Sequence, residues 1–267
     1  MSKGEKWFAL STGSLGPFAN LSDLECAWGK EVLEMLNFAG PEVIAWRGWK
    51  KTLSEAQEMG LRVAGIHGRT GGEGLIRRCL DASLAPTSDL LSQGKKDGPY
   101  VLIHESEARK EEVKEGVIKR AKGLIMIENS TGSCSLESVV EMVEFLRSQN
   151  VEAKLMFDLF HYYRYLQSGL EEGWRKTLDK LEEMLSLEAI MGGIHLPLGT
   201  DLGDSFPLEQ ISRGMWMRLK NIREDLELLL VVENQQEMPG ALMPMIVRGQ
   251  RERNGGMIKI LGDEGII

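Results

Sequence analysis

The sequence predicts an α/β protein, a single (β/α)8 TIM barrel, on two observations. Short runs of apolar and β-branched residues alternate along the chain with longer stretches of helical periodicity, a pattern typical of βαβ units and a parallel sheet. The length of 267 residues suits one such barrel, and no Pro/Gly-rich linker or low-complexity tract divides the chain. We therefore expect residues 1–267 to form one barrel domain.

Eight short apolar runs are predicted to be strands. In chain order they are Lys6–Ser11, Glu42–Trp46, Arg62–His67, Tyr100–His104, Leu124–Glu128, Lys154–Asp158, Met191–His195 and Leu228–Glu233. Eight strand–helix pairs without a break are most simply a closed barrel. The alternative is an open doubly wound sheet, which usually carries a Gly-rich phosphate turn after its first strand. The segment from Ser11 to Gly16 matches such a turn only loosely, which favours the barrel.

Helix signals stand between these strands. Ser22 followed by Glu25 fits a capping box that opens a helix running to about Phe38, with Gly40 placed as its C-cap. The segment Glu137–Ser148 has apolar residues at helical spacing and predicts a helix that covers the sheet. Further helix boundaries are indicated by a second capping box and by residues suited to helix ends: Thr52 with Glu55, Gly60, Gly123 and Pro207.

The charge balance restricts the class of partner. Lys and Arg number 32 against 40 Asp and Glu, a formal charge of -8, which disfavours a generic binder of nucleic acid or membrane surfaces. The odd number of cysteines, widely spaced at Cys26, Cys79 and Cys134, indicates reduced thiols. No segment resembles a signal core or a membrane span. We expect a cytoplasmic protein with no membrane partner.

Residues that can bind a metal end six consecutive predicted strands. They are His67, His104, Glu128, Asp158, His195 and Glu233. In a barrel, the C-terminal ends of the strands converge on one mouth, where active sites lie. Buried charged groups need partners or a metal, so six of them at six strand ends predict a metal site at this mouth. His161 follows Asp158 closely and brings all four histidines of the chain into the same set.

The donor types indicate which metal is expected. A single strand-end histidine or carboxylate more often makes an ordinary hydrogen bond or caps a helix, so the prediction depends on the six residues together. Imidazole mixed with carboxylate suits Zn, Mn, Co or Fe better than Ca. We expect one or two divalent ions per chain, Zn being favoured, with Glu128 placed to bridge them.

The chain resembles the xylose isomerase-like TIM barrels, the superfamily that includes endonuclease IV and many sugar isomerases and epimerases. The resemblance extends from the first strand to Glu233. Its most specific pieces are Ile-Glu128-Asn-Ser-Thr-Gly, Phe-Asp158-Leu-Phe-His161, Gly-Ile-His195-Leu and Val-Glu233-Asn. The resemblance implies a four-ligand site shared across the superfamily, made of Glu128, Asp158, His195 and Glu233. It also implies a further zinc on His67, His104 and Glu128, as in the endonuclease branch.

The resemblance is incomplete at one point. His161 matches a ligand of a third zinc in the endonuclease branch, whose remaining ligands come from an Asp-x-His element after the seventh strand. Here that segment offers Asp201 and Asp204, and Ser205 stands about where the histidine is expected. Asp204 is therefore a candidate ligand, but the departure argues against a complete third site.

Phosphoester hydrolysis is the first of two reactions that fit this site. Two ions would activate a water and stabilise charge on the phosphate, and an abasic-DNA endonuclease is the family precedent. Trp46, Arg47 and Trp49 after the second strand, and Arg69 after the third, are candidate substrate contacts because they combine basic and aromatic side chains. The charge of -8 counts against DNA as the substrate.

The second reaction is isomerisation or epimerisation of a sugar or sugar phosphate. One ion on the four shared ligands would polarise the sugar oxygens, and Glu128 and Glu233 would act as an acid–base pair. In this hypothesis Trp46 or Trp49 would form an apolar wall. It needs neither His67 nor His104 as a ligand, so the ligand count favours the hydrolase by a narrow margin. A barrel that only binds a ligand is disfavoured by the complete ligand set.

Overall fold

A computed structural model describes eleven parts of the chain: residues 8–11, 38–44, 58, 63–68, 100–121, 123–130, 135–187, 190–199, 205–224, 228–235 and 257–266. Their strands are β1 (Phe8–Ser11), β2 (Phe38–Ile44), β3 (Gly65–Gly68), β4 (Tyr100–His104), β5 (Ile125–Glu128), β6 (Ala153–Asp158), β7 (Met191–Gly199), β8 (Phe206–Pro207) and β9 (Leu229–Gln235). Their helices are α1 (Glu105–Ala108), α2 (Glu111–Arg120), α3 (Leu136–Ser148), α4 (Leu159–Leu166), α5 (Leu170–Leu185) and α6 (Arg213–Glu224), with a 3-10 turn at Leu208–Gln210. Residues 257–263 are also helical.

Strand pairing joins eight of these strands into a parallel ring. From β1 to β7, each strand pairs with the next one along the chain. β9 then pairs with both β7 and β1, while β8 adds a short ladder to β7. An open doubly wound sheet would instead leave two edge strands. The parallel, curled sheet is consistent with the predicted (β/α)8 barrel.

Side chains alternate between the two faces of each strand, and this alternation places the candidate site. One buried cluster takes its members from strands alone: Ala9, Tyr100, Leu102, Met126, Met156 and Val231. A second, larger cluster joins the intervening strand residues to the helices, as Ile103 and Val139 illustrate. The first cluster therefore fills the inside of the ring. Two positions beyond its members, on the same face, stand the candidate ligands His104, Glu128, Asp158 and Glu233.

Two glycines occupy the corresponding inner positions below the remaining ligands. Gly65 lies two residues before His67, and a Cβ at this position would collide with the ring of Tyr100. Gly193 lies two residues before His195, and a Cβ there would come within 3.1 Å of the Met156 sulfur. The large side chains of neighbouring strands thus fill the inside of the ring beneath both histidines.

Three of the six strands that carry ligands end where they were predicted to end. The other three continue further, β3 to Gly68 and β9 to Gln235 instead of His67 and Glu233, and β7 as described below. β4 spans the predicted residues, and β5 and β6 end at Glu128 and Asp158 as predicted. The prediction that the seventh strand ends at His195 is wrong, because β7 continues to Gly199. Its last residues pair with β9 as far as Gln235, and this ladder outweighs the loop-like Pro and Gly of the segment.

The first predicted helix is wrong at its C-terminal end. Phe38 begins β2, and Gly40 lies within that strand instead of capping a helix. The ladder with β1 explains the difference, since Phe38 pairs with Phe8 and Pro41 pairs with Leu10. The residues before Phe38, including the capping box at Ser22, lie outside the described part of the chain.

Three other helix signals have different outcomes. The helix predicted at Glu137–Ser148 is confirmed as α3, and Ser135 caps it by accepting a hydrogen bond from the Ser138 amide. Gly123 is not a C-cap, because α2 is capped by the extended residue Ala121. Pro207 is not in the first turn of an α-helix, since it pairs with Gly199 in β8 and the next α-helix begins later. Among the described residues, no helix combines the length and hydrophobicity that a membrane crossing requires.

Candidate metal centre

The strands bring the six predicted ligands to one end of the ring. His104, Glu128 and Asp158 are the last residues of their strands. The strand registers then set neighbours side by side, with His104 opposite Glu128 and Asp158 opposite His195. The described geometry therefore agrees with the expectation that these side chains lie together.

The first donor set, here the imidazole group, consists of His67, His104 and the Oε2 atom of Glu128. The two Nε2 atoms lie 3.0 Å apart, and they lie 3.4 Å and 2.8 Å from Glu128 Oε2, respectively. Ligand bonds of about 2.0–2.1 Å around a tetrahedral zinc imply ligand separations of about 3.3 Å. The three donor atoms therefore have about the spacing that a zinc-sized cation needs.

The second donor set, here the carboxylate group, consists of Asp158, His161, His195 and Glu233. His195 Nδ1 lies 3.3 Å from Asp158 Oδ2, and His195 Nε2 lies 3.2 Å from Glu233 Oε2. His161 Nδ1 lies 3.9 Å from Asp158 Oδ2. Ligand atoms of Glu128, Asp158 and His161 all lie within 4.8 Å of one another, as do those of the imidazole group.

Glu128 contacts both groups, one with each carboxylate oxygen. Its Oε2 atom faces His67 and His104, while its Oε1 atom lies 2.6 Å from His195 Nδ1. A carboxylate placed between two donor sets in this way is suited to bridge two ions. The predicted central place of Glu128 thus agrees with its geometry.

Burial makes the charges of this centre strongly interdependent. Glu128 is 0% exposed and Asp158 is 1% exposed. Burial raises the pKa of Glu128, but positive charge on His195 and His104 outweighs it and holds the pKa well below its ordinary range. Burial raises the pKa of Asp158. The charges of His161 and His195 lower it, but burial together with repulsion from Glu128 keeps the net shift upward. The negative charge at Asp158 is therefore incompletely balanced by the protein, which favours a bound cation.

A hydrogen-bonded frame supports the carboxylate group. The side-chain amide of Asn129 bonds to both the N–H and the C=O of Asp158. The backbone C=O of Asn129 accepts from His161 Nδ1, and the His161 amide donates to Asp158 Oδ1. Sequence reasoning assigned Asn129 no role, although it directly follows Glu128 in the most specific motif of the resemblance.

A second network lies next to His104 at the start of α1. The buried Glu105 accepts hydrogen bonds from Arg109 and from the hydroxyl of Ser138, at 2.6 Å for the latter. Arg109 also donates to the backbone C=O of Ser138 at 3.2 Å. The Arg109 guanidinium therefore joins α1 to α3.

Several predicted site residues lie outside the described part of the chain. They are the substrate-contact candidates Trp46, Arg47, Trp49 and Arg69, and the ligand candidate Asp204 with its neighbour Asp201. Ser205, which stands where the third zinc site would need a histidine, is described and buried. The predictions for these six residues stay predictions.

The donor set fits a divalent transition metal better than calcium. Four imidazoles and three carboxylates converge within one buried region, and calcium sites are built from oxygen ligands. The separations within the imidazole group also match tetrahedral coordination. The residues present therefore fit the expected zinc-type ion or ions.

Comparison with known proteins supports the fold. No protein-family model matches the chain, and no curated protein sequence matches it. A xylose isomerase domain protein from Alicyclobacillus acidocaldarius subsp. acidocaldarius is similar in structure, with 13% identity, a TM-score of 0.50, and coverage of 95% of this chain and 98% of that chain.

Two further solved structures match with lower scores. AQ1208 from Aquifex aeolicus has 11% identity and a TM-score of 0.47, with coverage of 86% of this chain and 52% of that chain. SacUVDE has 14% identity and a TM-score of 0.45, with coverage of 97% of this chain and 98% of that chain. Together with the parallel ring, the likeness to the Alicyclobacillus protein shows a shared fold, a curled parallel α/β sheet consistent with a TIM barrel.

Proposed function

We propose that the protein is a divalent-metal-dependent phosphoester hydrolase with two ions at the mouth of the barrel. The observation that carries this proposal is the position of Glu128 between the imidazole group and the carboxylate group. His67 and His104 converge on one Glu128 oxygen, and His195 contacts the other. A single ion on Glu128, Asp158, His195 and Glu233 would give His67 and His104 no ligand function.

The protein side chains would divide the work as follows. His67 and His104 would hold one ion with Glu128, and Asp158, His195 and Glu233 would hold the other with the same carboxylate. Bound divalent ions supply Lewis-acid charge at a phosphoryl oxygen and lower the pKa of a coordinated water. Burial of the carboxylates keeps bulk water away from their charges and strengthens their interaction with the ions.

The proposed substrate class is a phosphodiester, with an abasic site in DNA as the first substrate to test. This choice comes from the resemblance to the endonuclease branch. The formal charge of -8 implies that affinity for DNA would need local contacts, for which Trp46, Arg47, Trp49 and Arg69 are the candidates. Such phosphate contacts would make binding weaken steeply as salt increases.

Metal analysis tests the dinuclear part of this proposal. Protein purified and dialysed against trace zinc is expected to retain close to two ions per chain. A retained content of one ion per chain would contradict the dinuclear site.

Cleavage of abasic duplex DNA tests the reaction class. The wild-type protein is expected to nick the duplex in the presence of Zn²⁺ or Mn²⁺, and Glu128→Gln is expected to abolish nicking. Intact duplex of the same sequence is the substrate control, and Glu115→Gln, an exposed change on α2, is the protein control. Absence of nicking with every divalent metal tried would contradict the endonuclease assignment.

One observation favours a sugar isomerase or epimerase as the second candidate. Glu128 and Glu233 lie on two sides of His195, at 2.6 Å and 3.2 Å from its two ring nitrogens. Two carboxylates around one ligand are suited to move a proton between neighbouring carbons. Interconversion of aldose and ketose phosphates by protein holding one ion, with no nicking of DNA, would favour this candidate over the hydrolase.

A further inference from the structure

We propose that Asn129 is a positioning residue that holds Asp158 and selects the tautomer of His161. In this arrangement Asp158 Oδ2 and His161 Nε2 are the atoms offered to a divalent cation. The metal part of this inference rests on the proposed function, whereas the tautomer part concerns the metal-free protein. Four hydrogen bonds among three residues carry the argument.

The side chain of Asn129 acts as an extension of the ladder between β5 and β6. Its Oδ1 atom accepts from the Asp158 N–H at 2.8 Å, and its Nδ2 atom donates to the Asp158 C=O at 2.9 Å. A backbone N–H can only donate and a C=O can only accept, so the orientation of the amide is determined by its partners. Asn129 therefore anchors the Asp158 backbone through both its N–H and its C=O.

The backbone of Asn129 then determines which nitrogen of His161 carries the proton. His161 Nδ1 lies 2.7 Å from the Asn129 C=O. Because that oxygen can only accept, the proton must be on Nδ1, and Nε2 of the neutral ring carries the lone pair. A hydrogen bond of this kind from the other ring nitrogen is what orients histidine ligands in metal sites.

His161, the third residue, also bonds back to Asp158. The His161 amide donates to Asp158 Oδ1 at 2.6 Å, so Asp158 is also the N-cap of α4. This bond occupies one carboxylate oxygen and leaves Oδ2 toward His195, at 3.3 Å from its Nδ1 atom. The carboxylate therefore has one oxygen, Oδ2, left for a cation. His161 is held through its backbone amide by Asp158 and through its ring by the Asn129 C=O.

Replacing Asn129 would disturb the hydrogen bonds among Asn129, Asp158 and His161. Asn129 is 2% exposed, so its removal would leave two buried backbone groups of Asp158 without their partners. The Asn129 backbone would lose its anchor to β6, and its C=O would no longer be held against His161. Loss of a supporting hydrogen bond of this type lowers metal affinity by about ten- to a hundredfold.

The first experiment measures the His161 tautomer in metal-free wild-type protein by long-range ¹H–¹⁵N correlation of the imidazole nitrogens. The chain has four histidines, so single His→Gln variants assign every ring. In the neutral ring, His161 is expected to carry its proton on Nδ1, because the Asn129 C=O can only accept. A proton on Nε2 would overturn the proposal without the need for any Asn129 variant.

The second experiment compares Asn129→Ala with Thr177→Val. Thr177 makes a buried hydrogen bond to the Gly173 C=O in α5, so its replacement is a matched loss outside the site. Asn129→Ala is expected to give a mixture of His161 tautomers and about ten- to a hundredfold weaker zinc binding in a chelator competition. Thr177→Val is expected to change neither readout.

The outcomes separate this inference from the proposed function. If Asn129→Ala lowers stability as Thr177→Val does but leaves the tautomer and zinc affinity unchanged, the positioning role is overturned. If wild-type protein shows the Nδ1 tautomer but binds no divalent ion, the proposed function fails and the tautomer assignment stands.

Discussion

The two donor groups that share Glu128 are built on different principles. In the imidazole group, the Nε2 atoms of His67 and His104 face each other at 3.0 Å, and both face one carboxylate oxygen. In the carboxylate group, Asp158 is anchored through its backbone to Asn129 and through its side chain to the amide of His161. The imidazole group is held by contacts between its side chains, whereas the carboxylate group is also held by hydrogen bonds to the backbone.

Because of this difference, we expect the geometry of the imidazole group to depend on bound metal more than the geometry of the carboxylate group does. Only one of two facing imidazole nitrogens can supply the proton between them, so the imidazole group gains more from a cation that binds both lone pairs. In the carboxylate group, the bonds of Asn129 and of the His161 amide to Asp158 use atoms other than the proposed ligand atoms, so a cation need not break them. We therefore expect the carboxylate group to retain its geometry in metal-free protein, and the imidazole group to become ordered on metal binding.

The largest effect is expected from Glu128→Gln, which removes the carboxylate that the two groups share. Both ions should be lost, and any metal-dependent activity should fall by more than about a hundredfold. Zinc at about 100 times its Kd would stabilise wild-type protein by about 2.7 kcal/mol, and this increment should vanish in the variant. Thermal unfolding with and without zinc measures it; an undiminished increment would show that the groups do not depend on Glu128.

A smaller and selective effect is expected from the double change of His67→Gln and His104→Gln. Protein with both changes should retain one ion, because Asp158, His195, Glu233 and Glu128 remain. The single change His195→Gln is the reciprocal control and should weaken the carboxylate group instead. Metal content and isothermal titration distinguish the two; equal loss in both variants would mean that the groups are not separate sites.

A moderate effect is expected from Glu105→Ala, which removes the buried carboxylate between Arg109 and Ser138. Unsatisfied partners should lower the free energy of unfolding by about 1–3 kcal/mol. Because α1 follows His104 directly, zinc binding at the imidazole group should weaken more than at the carboxylate group. Glu111→Ala, on the exposed face of α2, is the control. Equal weakening of both groups would contradict a local connection.

The smallest effect is expected from Arg218→Ala on α6. Arg218 bonds to Asp179 at 2.5 Å and to Glu182 at 2.9 Å, both on α5 and partly exposed. Pairs of this kind contribute about 0–1 kcal/mol, so denaturant unfolding should change by no more than this and zinc content should not change. A loss of metal in this variant would mean that any destabilisation of the barrel releases the ions. Metal loss in the other variants could then not be assigned to one donor group.

The positions of the ligands could be predicted from sequence because they depend on strand ends and period-two alternation. His104, Glu128 and Asp158 each close an apolar run, and the same pattern determines the face on which they lie. Errors occurred where long-range pairing overrides local signals. The seventh strand was predicted to end at His195, but it continues through Pro197. This proline lies between the last pairing with β6 at His195 and the first pairing with β8 at Leu198, so its missing N–H is tolerated.

The role of Asn129 could not be predicted for a similar reason. Nothing in the local sequence states that its amide would meet the backbone of Asp158, which is a residue of the next strand. The contact depends on the register that sets Glu128 opposite Met156. Gly40 likewise indicates the end of a helix until the pairing of its strand with β1 is known.

The order of strands in the ring has a consequence for how the centre is assembled during folding. β9 is inserted between β1 and β7, so closure requires Phe8 to meet Leu230, at nearly opposite ends of the chain. Contacts between residues so distant in sequence carry the largest loop-closure cost and form slowly. Glu233 belongs to the same strand. A chain in which β9 has not yet paired lacks Glu233 at the centre, so we expect the carboxylate group to be completed, and its ion to be bound, late in folding.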